Sequence, residues 1–183
     1  MSEVNAKFSC SFFGHRNVCL NKNQYQELER IIEKLIVNYG IKFFLFGSRS
    51  TFDEACCEIV SKLKNKYPEI IRRKYTCVSE SCILEKDKKY WEDIYFKLGI
   101  ENDFLVYDEE VSFKDKLKAG VHSYIKRNFT MIDDSEVCVF YYDKLYKPKS
   151  DSCENQRNKS TNSGTKIAYD YAIKKNKIII NVK

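Results

Sequence analysis

Residues 41–46 constrain the fold more than any other segment, because this almost continuously apolar run lies between Gly40 and Gly47. Strands that are buried on both faces have this pattern, and they occur in parallel sheets with helices on each side. Elsewhere in the chain, strand-like apolar runs alternate with helical runs such as residues 24–37, whose apolar side chains recur at spacings of three and four. The sequence therefore predicts an α/β fold with a mostly parallel central sheet between two layers of helices.

The predicted order of elements is βαβαβ(α)βαβαβ. Strands are predicted at residues 8–13, 41–46, 70–78, 103–107, 136–142 and 177–182, and helices at 24–37, 51–65, 113–131 and 165–175, with partly helical spacing at 82–98. Residues 144–163 contain Pro148 and many Ser, Asn and charged residues. We predict that this segment is a mobile polar surface loop.

The chain has 183 residues, which favours one domain spanning residues 1–183. No apolar run is as long as a membrane helix requires, and the first residues are too polar for a signal peptide, so we expect a cytoplasmic protein without a membrane partner. Eight cysteines occur without any CxxC spacing, so we expect reduced thiols, no metal site and no cofactor. The net charge of +6 favours an anionic ligand. The pI of 8.8 is below the value of about 9 typical of nucleic-acid-binding domains.

Ligands of parallel sheets bind where a strand turns into a helix, because the helix N-terminus presents unpaired amides to an anion. The residues with suitable chemistry in three such turns are Gly14, His15 and Arg16; Gly47, Ser48 and Arg49; and Ser163, Gly164 and Thr165. Small residues let the backbone approach a phosphate closely, and the basic side chains add charge. Turn geometry alone also explains glycines at these places. Neither a Walker loop nor a GxGxxG motif is present.

Five segments together resemble the SLOG superfamily, the Rossmann-like group that includes the DprA-type proteins, the LOG phosphoribohydrolases and the YpsA-like proteins. They are FFGHR at 12–16, FGSRSTFDE at 46–54, KYP at 66–68, Arg127 and Asn128 with Met131 and Ile132, and Ser163, Gly164 and Thr165 leading into Ala172 and Ile178. The YpsA-like branch is the most similar. The resemblance implies a Rossmann-like three-layer sandwich that holds a nucleotide or nucleotide-derived ligand against the glycine turns. It also implies a homo-oligomer, since relatives commonly pair through helices.

The LOG branch hydrolyses an N-glycosidic bond in a nucleotide with an arginine and a glutamate. The resemblance assigns the arginine to Arg127, but the glutamate position falls on Ala168. This reaction needs a carboxylate near the anomeric carbon. Asp53 matches the YpsA-like motif and is our preferred ligand contact, and Glu54 is a lower-ranked acid or base. Either residue is also favoured in a first helical turn simply by the helix dipole.

His15 has two interpretations, as a donor to a phosphate or as a side chain that only caps the strand end. The function expected is binding of a nucleotide-like small molecule in a sensing or sequestering role. One alternative is a nucleotide N-glycosidase in which Arg127 and Glu54 are catalytic, so whether the protein is an enzyme stays open. The other is a DprA-like nucleic-acid binder, supported only by the lysines of residues 144–159.

Overall fold

The computed structural model describes residues 5–47, 50–77, 107–112, 121–146 and 163–183. Within these ranges, six parallel strands form one sheet with helices on both faces, which confirms the predicted α/β, Rossmann-like three-layer sandwich. The strands are β1 (Ser9–Gly14), β2 (Phe43–Phe46), β3 (Ile71–Thr76), β4 (Glu109–Ser112), β5 (Val137–Tyr141) and β6 (Ile178–Asn181). The helices are α1 (Lys22–Tyr39), α2 (Thr51–Lys64), α3 (Val121–Asp133) and α4 (Gly164–Lys174), and a short 3-10 helix (Ala6–Phe8) precedes β1.

The strand order is β4-β3-β2-β1-β5-β6, so the chain changes direction across the sheet next to β1. Strands β1 to β4 follow one another toward one side of the sheet, and the chain then returns to the other side of β1. There β5 pairs with β1, with Val137 opposite Cys10 and Tyr141 opposite Gly14. Parallel crossovers keep a right hand, so reversing direction moves the connecting helices to the opposite face. The carboxyl ends of β1 and β5 therefore flank a topological switch point, where ligands of such sheets bind.

The core has one layer on each face of the sheet, because successive strand residues point to opposite sides. Phe12 and Phe44 face α1 and α2, whereas Phe13, Leu45 and Phe140 face α3 and α4. Both layers are closed by apolar side chains of their helices. Each face of the sheet therefore packs against its own pair of helices.

Hydrogen bonds at the helix ends explain where the helices begin and stop. Asn21 accepts from the Gln24 amide, and the Gln24 side chain accepts from the Asn21 amide, forming a capping box at the start of α1. Gly40 ends α1 in the left-handed region with φ of 65°, which glycine adopts without strain. Ser50 and Ser163 cap α2 and α4.

The third quarter of the chain differs most from the prediction. The sequence predicts a strand at residues 103–107. This prediction is wrong for Tyr107, which lies before β4 and is not part of a strand, and residues 103–106 lie outside the described residues. Apolar periodicity missed β4 because its two acidic residues pair with polar residues of β3, Glu109 with Arg73 and Glu110 with Thr76. The helix predicted at 113–131 is observed from Val121 to Asp133. Three predicted segments lie outside the described ranges: residues 113–120 of that helix, the helical segment 82–98, and residues 147–162 of the polar loop.

The remaining predicted elements are found with their ends shifted by a few residues. No helix in the described ranges has both the length and the apolar character needed to cross a membrane.

Candidate functional site

The turn after β1 is joined to the N-terminus of α4. The Thr165 hydroxyl donates to the Gly14 carbonyl oxygen at 2.9 Å, which brings the first turn of α4 beside the end of β1. A Cβ atom on Gly14 would lie 2.4 Å from the Cβ of Phe52. Packing against α2 therefore already requires glycine here, whereas close approach of a ligand at Gly14 stays a prediction.

His15 connects the ends of β1 and β5 and is only 2% exposed. Its Nε2 accepts a hydrogen bond from the Asp143 amide at 3.1 Å, while its buried Nδ1 has no partner among the described residues. The Tyr146 ring stacks on the imidazole with centroids 3.8 Å apart. Burial lowers the pKa of His15, although contacts with Asp143 oppose part of that shift. Of the two sequence interpretations, the strand-end hydrogen bond is observed for one ring nitrogen, and donation to a phosphate by the other nitrogen stays a prediction.

Residues 142–146, called here the β5 turn, are fastened by side chains from the end of the chain. Asn181 accepts from the Tyr142 amide and donates to the Tyr142 carbonyl oxygen, both at 3.0 Å. Lys183 forms an ion pair with Asp143 and holds the pKa of that carboxyl below its usual value. These contacts fix the turn that covers His15.

The first turn of α4 contains the third predicted group of residues. Ser163 accepts from the Lys166 amide at 3.1 Å, so its hydroxyl caps the helix. Gly164 is exposed, and apart from its chain neighbours and the helix backbone around it, no atom of the described residues lies within 4 Å of the position a Cβ would take. The side chains of Ser163 and Thr165 thus have structural partners, while Gly164 borders open space.

A buried cation lies at the carboxyl end of β2. Arg127 is 6% exposed, and its Nη2 would be 3.1 Å from a Cβ on Gly47. The guanidinium lies 5.4 Å from the Tyr124 ring centroid and donates from Nη2 to Asn128 Oδ1 at 3.2 Å. Gly47 therefore leaves room for the arginine.

The other basic residues predicted for the turns are exposed or undescribed. Ser48 and Arg49 lie outside the described residues. Arg16 is exposed, and its carbonyl oxygen accepts from the Thr51 amide at 3.1 Å, which ties the turn after β1 to the start of α2. The lysines of residues 147–159, which supported nucleic-acid binding, also lie outside the described residues.

The two acidic residues of the first turn of α2 differ in exposure. Asp53 is buried at 5% exposure, and its amide donates to the capping Ser50 hydroxyl at 3.1 Å. Burial raises the pKa of Cys57 to about 11, and the Asp53 charge adds to that shift. Glu54 is exposed. A buried carboxylate is therefore present at Asp53 and absent at Glu54.

The LOG glutamate position is a core position in this chain. Ala168 is completely buried with Phe140 and Met131 on the α3–α4 face. Asp170, two residues further, is exposed and pairs with Lys166 at 2.6 Å. Neither residue supplies a free carboxylate to the edge of the sheet.

The described cysteines are free, and burial raises the pKa of the thiols of Cys10, Cys56, Cys57 and Cys138. Such thiols are poor nucleophiles. Among the described residues, no group of three or more His, Cys, Asp or Glu side chains is arranged so that it could hold a metal ion.

The structure brings together Gly14, His15 and Thr165 around the switch point, with Gly47 and Arg127 at the neighbouring strand end. Sequence reasoning missed Tyr146, Asn181 and Lys183. Tyr146 lies in a polar segment with no periodic pattern, so nothing in the sequence pointed to its stacking on His15. The polar Asn181 at the end of an apolar strand was the only feature that pointed to a role for the last residues.

No protein-family model matches this chain, and no curated protein matches it either. The SLOG resemblance, the homo-oligomer and the cytoplasmic location accordingly stay predictions.

Proposed function

We propose that this protein binds a nucleotide or nucleotide-derived anion at the carboxyl edge of its sheet, in a sensing or sequestering role. The observation that supports it best is the buried Nδ1 of His15, which lacks a partner within the described ranges at the switch point of the sheet. Nearly all buried polar atoms in folded proteins are hydrogen-bonded. A ligand that supplies the missing partner explains this atom.

The charges around the switch point favour an anion. The N-terminus of α4 lies beside Gly14 and contributes partial positive charge through its unpaired amides. Arg127 adds a buried positive charge at the end of β2, and Arg16 adds an exposed one after β1. The nucleotide character of the ligand rests on the SLOG resemblance and on the position of the site at a switch point.

A nucleotide N-glycosidase is the second candidate, favoured by the burial of both Arg127 and Asp53 near the same edge. Asp53 or Glu54 would then supply the carboxylate that Ala168 does not. We rank this activity second because Glu54 is exposed and the position of the LOG glutamate is the buried Ala168.

The test incubates the purified protein with nucleoside monophosphates, NAD and ADP-ribose, and follows thermal unfolding together with release of free base by chromatography. Binding at about 100 times Kd adds about 2.7 kcal/mol, which for a chain of this size raises Tm by about 5–10 °C. We expect such a shift for at least one compound, without free base. No shift with any compound would contradict the proposal.

Two exposed charges give a matched comparison. Arg16→Gln removes a charge at the site. Lys174→Gln removes a charge in the last turn of α4, at the end of that helix opposite to the site. We expect only Arg16→Gln to weaken binding, by up to about fivefold for an exposed charge pair. Free base that is released by the wild type but not by Arg127→Ala or Glu54→Gln would instead establish the glycosidase.

A further inference from the structure

The two nitrogens of His15 have different hydrogen-bond roles. An amide can only donate, so the Asp143 amide at 3.1 Å requires a lone pair on Nε2. In a neutral imidazole with an unprotonated Nε2, the proton is on Nδ1. The backbone of the β5 turn therefore selects the Nδ1–H tautomer.

This tautomer leaves a buried donor without an acceptor in the described part of the chain. Nδ1 is inaccessible to solvent and has no hydrogen-bond partner there. An unsatisfied buried donor lowers stability, and an acceptor supplied by a ligand would remove that cost. Stacking of Tyr146 on the ring and the contact with Asp143 fix the direction in which this N–H points.

We propose that His15 acts as a neutral donor that binds an acceptor oxygen of the anion through Nδ1–H, and that the β5 turn fixes this tautomer. The inference rests on the proposed function and specifies its chemistry: the ligand places a phosphate-type oxygen, rather than a donor group, against the imidazole. Gly14 precedes His15, and its carbonyl oxygen accepts from Thr165, so His15 and the N-terminus of α4 both adjoin the end of β1. A neutral donor and a helix N-terminus then contact the same oxyanion.

The arrangement also links the β5 turn to the charge of His15. A proton on Nε2 would oppose the Asp143 amide, donor against donor, so the protonated imidazole and this hydrogen bond are mutually exclusive. Burial lowers the pKa of His15, which keeps the ring neutral near neutral pH. Asp143, Lys183, Tyr142 and Tyr146 are the titratable side chains that face the ring in the described residues.

The first test observes the tautomer directly by long-range ¹H–¹⁵N correlation of histidine-labelled protein. The chain has only two histidines, so comparison with His122→Gln assigns the resonances of His15. We expect an Nδ1–H tautomer in the free protein, and saturating inorganic phosphate should shift Nδ1 and slow exchange of its proton. An Nε2–H tautomer, an imidazolium, or an Nδ1 that does not respond to phosphate would each overturn the proposal.

Two substitutions separate the nitrogens. In His15→Asn, the side-chain amide places an N–H near the position of Nδ1, whereas His15→Gln places an acceptor near Nε2 and has no group at Nδ1. Loss of one neutral hydrogen bond predicts that His15→Gln binds phosphate about three- to tenfold more weakly than His15→Asn. Circular dichroism of both variants checks folding. Equal affinities, or weaker binding by His15→Asn, would overturn the assignment of the donor to Nδ1.

The outcomes distinguish this inference from the proposed function. If phosphate shifts Nδ1 but no nucleotide raises Tm, the donor role of His15 stands and the nucleotide proposal fails. If a nucleotide raises Tm while neither it nor phosphate changes Nδ1, the binding proposal stands and the donor role fails.

Discussion

Buried polar side chains differ in their hydrogen-bond partners between the β3–β4 edge of the sheet and the β1–β5 switch point. At the β3–β4 edge, Arg72 donates to Asp108 at 3.2 Å, and Arg73, 1% exposed, donates to Glu109 at 2.6 Å. At the switch point, His15 has one ring nitrogen paired and one without a partner in the described residues. Both regions bury polar groups. Among the described residues, however, the fold itself supplies hydrogen-bond partners for the buried arginines of the β3–β4 edge and leaves Nδ1 of His15 without one.

The difference separates a structural role from a binding role. Fully paired buried charges fix which residues of two strands lie opposite each other, because any other register would leave a charge unpaired. A buried donor without a partner lowers stability until an acceptor arrives. We therefore expect substitutions at β3–β4 to affect folding and those around His15 to affect binding.

The strongest test of the structural role is Glu109→Ala, which removes an acceptor of the buried Arg73 guanidinium. Because Glu109 keeps some exposure, we expect a loss of about 2–4 kcal/mol in the free energy of unfolding, measured by urea denaturation. Glu27→Ala, which breaks an exposed pair with Arg30, is the control and should cost less than about 1 kcal/mol. Similar losses in both variants would remove the contrast between the two regions.

A second test measures how much packing contributes to stability at the switch point. Gly14→Ala places a methyl group 2.4 Å from Phe52 Cβ and should cost about 1–3 kcal/mol of stability. Gly164→Ala is the matched control, because the described residues leave space for a methyl group at that position, and its stability should change by less than about 1 kcal/mol. Phosphate affinity of Gly164→Ala then reports whether a ligand needs the space. A Gly14→Ala protein as stable as the wild type would contradict the packing explanation.

A smaller effect is expected from pH. Burial lowers the pKa of His15 below its ordinary value of 6.5, so below about pH 6.5 the unfolded chain takes up a proton that the folded chain does not. This contribution leaves stability unchanged above that pH and reduces it as the pH falls toward the pKa of the folded state. Urea denaturation at about pH 7.5 and about pH 5.5 should show a smaller difference for His15→Gln than for the wild type. His122→Gln serves as the control for the second histidine, and an unchanged difference in His15→Gln would contradict the prediction.

The smallest effect is expected for Lys183→Met, which removes the ion pair with Asp143. Both side chains are partly exposed and screened by solvent, so we expect only a small loss of stability. The pKa of Asp143 should rise toward its usual value, since Lys183 is the main cause of its lowering, and carboxyl ¹³C shifts measure this. A pKa that stays low without Lys183 would assign the effect to the Leu145 amide instead.

The fold could be predicted from the sequence wherever burial follows a period. The apolar run that contains β2 and the spacing of three and four in α1 gave the right elements, because both bury one continuous set of side chains. β4 could not be found in this way, since Glu109 and Glu110 reach their partners across the sheet rather than through apolar packing. Charge pairing between strands leaves no period in a single segment.

The candidate site was predictable only in part for a similar reason. Gly14, His15 and Thr165 follow or precede strand-like and helical runs, so the sequence placed them at one edge of the sheet. The stacking of Tyr146 and the contacts of Asn181 come from distant parts of the chain and have no local pattern. Gly14 also shows that a glycine in a turn can be required by a packed phenylalanine instead of by a ligand.

The contact between Asn181 and Tyr142 bears on the order in which the molecule assembles. A side-chain amide offers the same donor and acceptor as a peptide group, so Asn181 continues the pairing of β5 past the end of that strand. The hydrogen bonds that define the site join residues 39, 128 and 151 positions apart, and contacts of such long separation require the closure of long loops, which costs entropy. An intermediate that has formed only β1 to β4 would contain His15 but not the turn that orients it. Ligand-binding competence would then be acquired at the final stage of folding, when β6 docks.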